Sequence, residues 1–200
     1  MPRVSREQTD RNRELIEVAS ARLFRERGFN GVSVADIMAS AHLTHGGFYG
    51  HFDSKDELAS VACGRAFDTA LARWKSFAEA GTSEREFLAA LGAHYFSRHQ
   101  CDQPGSACPV ISLAADVGRE ADDKPVRGVY ARGVKAMLDR LLSFGRARRS
   151  KKARRQALAR LSLLVGAVTL ARAMHDDPLS DEILDAARHH LRSAFEDDTQ

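Results

Sequence analysis

Two adjacent glycines, Gly46 and Gly47, sit between Thr44-His45 and Phe48-Tyr49 in a stretch that otherwise reads as a short helix. Each glycine costs roughly 1 kcal/mol of helix propensity, so local stability does not account for the pair. What the pair provides is close approach, because a helix bearing bulky side chains is held away from any surface it faces. The neighbours carry the chemistry such an approach would use. The Thr44 hydroxyl can cap the helix and reach a phosphate or a base edge. The His45 imidazole, pointing outward, can donate to or accept from a base edge. Phe48 and Phe52 are of the opposite character and are expected to lock this segment to the helices before it.

Cys108 is a second reactive candidate. Residues 101–109 form a loop by their Pro and Gly content, and Pro109 fits the first turn of a following helix. The Cys108 thiol would then lie at a helix N-terminus, where the dipole lowers its pKa, with Cys101 as a possible resolving partner. A small buried hydrophobe is the competing assignment, and the residues alone leave both open. Cys63 reads as structural, and three scattered cysteines do not make a disulfide framework. The eight histidines (His42, His45, His51, His94, His99, His175, His189, His190) show no metal-ligand spacing. There is no Gly-rich phosphate loop and no framed pair of carboxylates. The sequence therefore names no catalytic residue, no metal and no cofactor, and a helical enzyme stays only as an alternative without a motif.

These groups need a scaffold, and 200 residues are enough for a compact two-part protein with a real core. A hydrophobic content of 44% with 28% charged residues is that of an ordinary globular chain. No apolar run approaches the roughly 20 residues needed to cross a bilayer. The first eight residues lack the apolar stretch of a signal peptide, so no membrane association and a cytoplasmic location are expected. Bulk charge is uninformative: residues 1–55 hold 8 Lys/Arg against 7 Asp/Glu, and the whole chain is only +3. Any affinity for nucleic acid must come from placement. Arg3, Arg6, Arg11 and Arg13 crowd an N-terminal arm that suits phosphate or minor-groove contact, although a solvated tail explains Arg3 and Arg6 equally well.

Few prolines and no useful alternating apolar/polar run argue for an all-α chain. A first helix is expected over about 7–27, with Leu15, Ala19 and Leu23 flanked by Ile16 and Phe24 on one stripe and Gly28 ending it. Ser33-x-x-Asp36 is a capping box for a second helix whose Val34, Ile37 and Met38 face inward. A third covers about 44–50. Ser54-x-x-Glu57 is another capping box, opening a helix to about 81, and Ser83-x-x-Glu86 opens one to about 100. After the helix at Pro109, further helices are expected over about 124–146 and 152–174. Asp176-Asp-Pro-Leu-Ser180 breaks the chain before a last helix to about 195. No internal repeat is evident. Two short helices joined by a tight turn within 33–50, followed by a capped helix start, have the form of a helix-turn-helix DNA reader.

The same segment resembles the tetracycline-repressor (TetR) family of bacterial regulators. The resemblance is carried by Ile16-Glu-Val-Ala19-Ser-Ala-Arg-Leu-Phe24, by Gly28-Phe29, and by Ser33 to Ile37 as Ser-Val-x-x-Ile. It continues through Gly46 to Phe52 as Gly-x-Phe-Tyr-x-His-Phe, and through Ser54 to Leu58 as Ser-Lys-x-x-Leu. These motifs span about residues 10–62, and the rest resembles the family in helix number, length and order. The resemblance implies a three-helix helix-turn-helix DNA-binding domain at 1–53, a connecting helix over about 54–81, and a C-terminal helical ligand-binding and dimerisation domain within 54–200. It implies DNA contacts from Ser33, Thr44, His45, Gly46, Gly47, Tyr49, His51 and Lys55. Tyr49 would place its hydroxyl on a phosphate, a half-buried structural tyrosine being the competing assignment. Lys55 would contact a phosphate with the support of a helix N-terminus. Ser33 would do the same, although capping alone accounts for it. The sequence departs from the family at Ala41-His42-Leu43, where Gly is usual at the second place. That position commonly takes positive φ, which strains histidine.

The resemblance further implies a homodimeric repressor that binds a palindromic, double-stranded operator and is released by a small molecule. Leu163, Leu164, Val168 and Ala171 form an apolar face that Ile183, Ala187 and Leu191 would answer across a dimer interface, with ordinary core as the competing assignment. Phe67, Leu71, Trp74, Leu91, Tyr95, Cys108, Met137 and Leu141 fall where the family binds ligands and would make a mainly apolar pocket for an apolar effector, although plain core explains them too. Some such regulators sense electrophiles or oxidants through a cysteine in this region, so a thiol switch at Cys108 is an alternative. Residues 146–155 hold seven basic residues in ten, expected as a solvated connector far from DNA.

Overall fold

The computed structural model describes residues 6–81, 83–144 and 150–193, and among these there is no strand. The first helix, α1, covers Arg6–Arg27. It ends because Gly28 takes φ +74°, a left-handed conformation open to glycine, with its N–H on the Phe24 carbonyl at 2.9 Å. The buried face of α1 is Ile16, Ala19, Leu23 and Phe24. Leu15, expected on that stripe, is exposed instead. The face is centred one position further on, where Ser20 is admitted to the core by donating its hydroxyl proton to the Ile16 carbonyl at 2.7 Å.

α2 spans Val34–Ser40 and opens with the expected capping box, in which Ser33 and Asp36 satisfy each other's backbone N–H. A 3₁₀ helix, His45–Gly50, follows the turn. α3, Lys55–Ala80, leaves this three-helix head and runs through the rest of the molecule. Its capping box does not close as expected. The Ser54 hydroxyl accepts from the Glu57 N–H at 3.0 Å, but the Glu57 carboxylate accepts from the Asp53 N–H at 2.7 Å. The acid reaches one residue further back and pins the entering chain.

α4, Glu84–Tyr95, carries a closed Ser83–Glu86 box. It stops five residues before the expected end. Phe96 leaves helical geometry and turns fully into the core, and α5, Arg98–Asp102, restarts the chain. The expected loop is thereby shortened, since Cys101 and Asp102 are helical. Three short pieces of chain then line the waist: α5, α6 (Pro109–Ser112) and α7 (Ala114–Arg119). Pro109 occupies the first position of α6, where its missing N–H costs nothing.

α8 is Pro125–Leu142, α9 is Lys151–Ala173 and α10 is Leu179–Ser193. α8 ends at Leu142, short of the expected Arg146. Arg146 and Phe195 lie outside the described residues, as do Arg3, Arg148 and Arg149. The part of the basic run that is described is no connector. Lys151 to Arg155 form the first turns of α9, and the Ser150 hydroxyl caps them by accepting the Ala153 N–H at 3.0 Å.

One continuous core joins α1, α2 and the 3₁₀ helix to α3, α4 and α8–α10. α9 is long and apolar enough, by length and composition, to cross a membrane, contrary to the expectation that no segment is. Packing accounts for that composition: Ala157, Leu161, Leu164, Ala167, Val168 and Ala171 are buried, and the helix contacts both α8 and α10.

Candidate nucleic-acid interface

The head presents a continuous exposed surface made by the 3₁₀ helix and the turn before it. Thr44, His45, Gly46, Tyr49 and Gly50 are all exposed, and Tyr49 keeps 69% of its surface open. That exposure removes the half-buried structural role for Tyr49. Behind this surface Phe48 and Phe52 are fully buried and stacked, with ring centroids 5.8 Å apart. Tyr49 meets Phe48 edge to face at 5.2 Å, so its ring is held while most of the side chain stays open.

Both glycines have ordinary negative φ, so backbone geometry does not require them. A Cβ on Gly46 would meet nothing within 4 Å, and one on Gly47 would lie 3.6 Å from Met38 at ordinary contact distance. The fold has space for side chains at both positions. The fold itself gives no reason for the missing side chain at Gly46. Thr44 precedes the first helical residue, but its side chain makes no capping bond. The capping role expected of it is not present.

The turn Ala41-His42-Leu43 shows what the departure at His42 does. His42 sits at φ +59°. Its N–H bonds the Ala39 carbonyl at 3.0 Å, and the Leu43 N–H bonds the Met38 carbonyl at 2.9 Å. This pair of bonds is a Schellman motif, with histidine in the position that favours glycine. The turn keeps its shape, and the conformational cost falls on one residue.

Ser33 is exposed, but its hydroxyl is occupied. It donates to the Asp36 carboxylate at 2.5 Å and accepts from the Asp36 N–H at 3.1 Å. Hydrogen bonds from Ser33 hold the Asp36 carboxyl below the usual carboxylate range. Capping thus accounts for Ser33. Lys55 is half-buried in the first turn of α3, beside Asn30 and Lys124 at a crevice of about 150 Å³. His51 is half-buried too, and its carbonyl accepts a hydrogen bond from the Arg13 guanidinium.

That bond takes Arg13 out of the expected basic arm, of which Arg3 lies outside the described residues. Arg6, Arg11 and Arg13 belong to α1. Arg11 pairs with Glu7 at 3.3 Å. Arg13 lies 4.2 Å above the Phe52 ring and pairs with Glu17 at 3.2 Å and Glu57 at 3.7 Å. It clamps α1 to the end of the 3₁₀ helix and the start of α3. Sequence inspection missed this clamp because its partners are distant in the chain and one is a backbone carbonyl.

The expected apolar pocket is filled. Phe67, Trp74, Leu91, Tyr95, Cys108, Met137 and Leu141 are buried against one another, with Leu71 packed at the margin. The Trp74 indole N–H donates to the Tyr95 hydroxyl at 3.0 Å, and Phe67 covers Gly133 so closely that a Cβ there would collide with its ring. Cavity volume here is about 10 Å³, in a crevice reached from Arg25, Arg73 and His94. Cys108 precedes α6 as expected, but the dipole does not win. Burial pushes its thiol up to about 11, and burial likewise raises Cys101. Cys63 is pushed up to about 12 by the same cause. All three cysteines are buried, and burial disfavours the thiolate at each, so the helix N-terminus does not by itself activate Cys108.

The expected dimer residues divide. Leu164, Val168 and Ala171 are fully buried in the chain's own core and cannot face a partner. Leu163 and Ile183 line a groove of about 840 Å³ between α9 and α10 together with the exposed Leu170, while Ala187 and Leu191, themselves buried, form its floor.

Residues 16–62 match the family model of bacterial regulatory proteins, tetR family. Over 91 residues the chain is 33% identical to the HTH-type transcriptional repressor KstR2 of Mycobacterium tuberculosis, a stretch covering 46% of this chain and 45% of that repressor. The chain thus spans about half the length of the curated relatives it matches first. It is 28% identical over 138 residues to the HTH-type transcriptional repressor NemR of Escherichia coli K12, covering 67% of this chain and 68% of NemR. Among solved structures, the reduced form of E. coli NemR superposes with a TM-score of 0.75 at 23% identity, covering 91% and 95% of the two chains. A TetR transcriptional regulator from Chloroflexus aurantiacus does so with a TM-score of 0.75 at 26% identity, covering 94% and 95%.

Proposed function

We propose that this chain, which carries the N-terminal domain of the tetR family of bacterial regulatory proteins, is a cytoplasmic transcriptional repressor acting as a homodimer on a palindromic DNA operator. The observation that carries this reading is the exposed surface from Thr44 to Gly50, held rigidly by buried Phe48 and Phe52 and stripped of bulk at Gly46. His45 reads base edges, Thr44 and Tyr49 hold phosphates with their hydroxyls, and Lys55 adds charge at the N-terminus of α3. His51 and Ser33 serve the head's shape, and Gly47 keeps the helix slim. The division of labour is a DNA-binding head through residue 53 and a dimerising, signal-receiving body from residue 54, with α3 shared between them. Release from DNA follows binding of a small molecule to the body. No catalytic chemistry is assigned.

Two substitutions separate positioning from recognition. With DNA from beside the chain's own gene in a gel-shift, Tyr49→Ala weakens binding to all sequences by about ten-fold. His45→Ala instead alters base preference in a binding-site selection. Absence of wild-type binding at low salt would overturn the regulator, and an unchanged preference would remove His45 from recognition.

A further inference from the structure

Where α1 meets α3 and the segment before α6, two arginines lie on one crevice and are hydrogen-bonded only to neutral groups. Arg25, near the end of α1, donates from Nε to the Ala21 carbonyl and from Nη1 to the Ala107 carbonyl, both at 2.8 Å. Arg73 of α3 lies on the same crevice, with Nη1 3.2 Å from Nε2 of His94. Ser106 lines the crevice too, its hydroxyl 3.0 Å from Nε2 of His99. Among the described residues neither guanidinium forms an ion pair. The nearest acid to Arg25 in sequence, Glu26, is held by Arg22 at 2.9 Å. Burial, with repulsion from Arg73, holds Arg25 below the usual guanidinium range, although the Glu26 carboxylate is close enough to oppose the shift. Burial, with Arg73 and His99, pushes His94 down to about 4, so it stays neutral beside the two cations.

Half-buried arginines that no carboxylate pairs directly are costly, and an oxyanion relieves that cost because the planar fork of donors matches its oxygens. We propose that the crevice between α1, α3, α4 and the segment before α6 is a binding site for a small oxyanion, held between the Arg25 and Arg73 guanidinium groups. The crevice encloses only about 10 Å³, roughly the room of one water, so the anion sits at its mouth against the two guanidinium groups and the body of the ligand stays outside. His94 accepts from Arg73 and orients it, and Ser106 offers a hydroxyl at the rim. The site touches α1 of the head and α3 and α4 of the body, so its occupancy bears on how the head is held. That last link rests on the regulator reading, whereas the binding step does not.

Trp74, the single tryptophan, lines the same crevice and reports on it. The purified chain is titrated, without DNA and at constant ionic strength, with sodium benzoate, neutral benzamide or inorganic phosphate while Trp74 emission is followed. Benzoate or phosphate gives a saturable change, and benzamide binds at least about ten-fold more weakly. A response to benzoate alone assigns the site to carboxylates, and a response to phosphate alone assigns it to phosphates. Arg73→Gln lowers the anion affinity by about ten-fold or more, and Arg73→Lys keeps part of it. No saturable response to either anion, equal affinity for benzoate and benzamide, or an unchanged response in Arg73→Gln would overturn the site. Should Arg73→Gln fail to fold, the wild-type comparison of benzoate with benzamide decides alone. Because DNA is absent from the titration, failure of the anion site leaves the regulator reading standing, and failure of DNA binding leaves the anion result standing.

Discussion

His42 holds a left-handed conformation that an L side chain with a Cβ adopts at a cost of roughly 1 kcal/mol. Both Schellman bonds are nevertheless made, so the histidine has been accommodated without loss of the turn. His42→Gly relieves the cost at a position with exposed surroundings. It is expected to stabilise the chain by about 0.5–1 kcal/mol, visible as a Tm increase of a few degrees by calorimetry. A Tm that falls would mean that the imidazole contributes a contact outweighing the strain. Residue-scale forces also decide the cysteines. A helix N-terminus favours a thiolate, but the Cys108 sulfur is enclosed by the core, and desolvation is the larger effect.

At the scale of elements, the sequence displayed whatever is local and periodic. The capping boxes at Ser33 and Ser83, Gly28 as the end of α1 and Pro109 as the start of α6 were all legible because each signal lies within a few residues of its effect. The second box at Ser54 was half legible, since a four-residue motif does not say whether the acid bonds its own cap or the residue before it. The end of α4 was not legible. Apolar periodicity continues past Tyr95, and only tertiary packing of Phe96 shows that the chain leaves the helix there. The same blindness touched the surfaces. Leu163 and Leu164 are adjacent leucines, and only the placement of α10 and α4 decides which one is core. For the head the exposed residues were found by resemblance and residue chemistry together. The Arg13 clamp and the Arg25–Arg73 crevice were not, because groups far apart in sequence leave no spacing to detect.

The whole molecule is a head with one small exposed surface, the proposed DNA contact, and a body that leaves an apolar groove between α9 and α10. One head reads too few base pairs for useful discrimination, and two heads about 34–36 Å apart, or a multiple of that spacing, read a palindrome. The groove suits a second copy of the chain, with Leu163, Leu170 and Ile183 as its unburied apolar contacts. Leu163→Asp combined with Leu170→Asp is therefore expected to leave the fold intact by circular dichroism and to shift the protein from dimer to monomer in sedimentation. A variant that remains dimeric would move the interface elsewhere.

Gly46 links the three scales, because the fold itself gives no reason for its lack of a side chain. Gly46→Leu places an isobutyl group on the exposed surface of the 3₁₀ helix, at a position whose Cβ meets no atom of the chain within 4 Å. Operator binding by this variant, measured beside the wild type by fluorescence anisotropy at one fixed salt concentration, is the most direct test of the DNA-reading surface. The expected result is an unchanged Tm with affinity reduced by about a hundred-fold or more. Wild-type affinity in a folded Gly46→Leu protein would contradict it, since no groove could then lie against this helix.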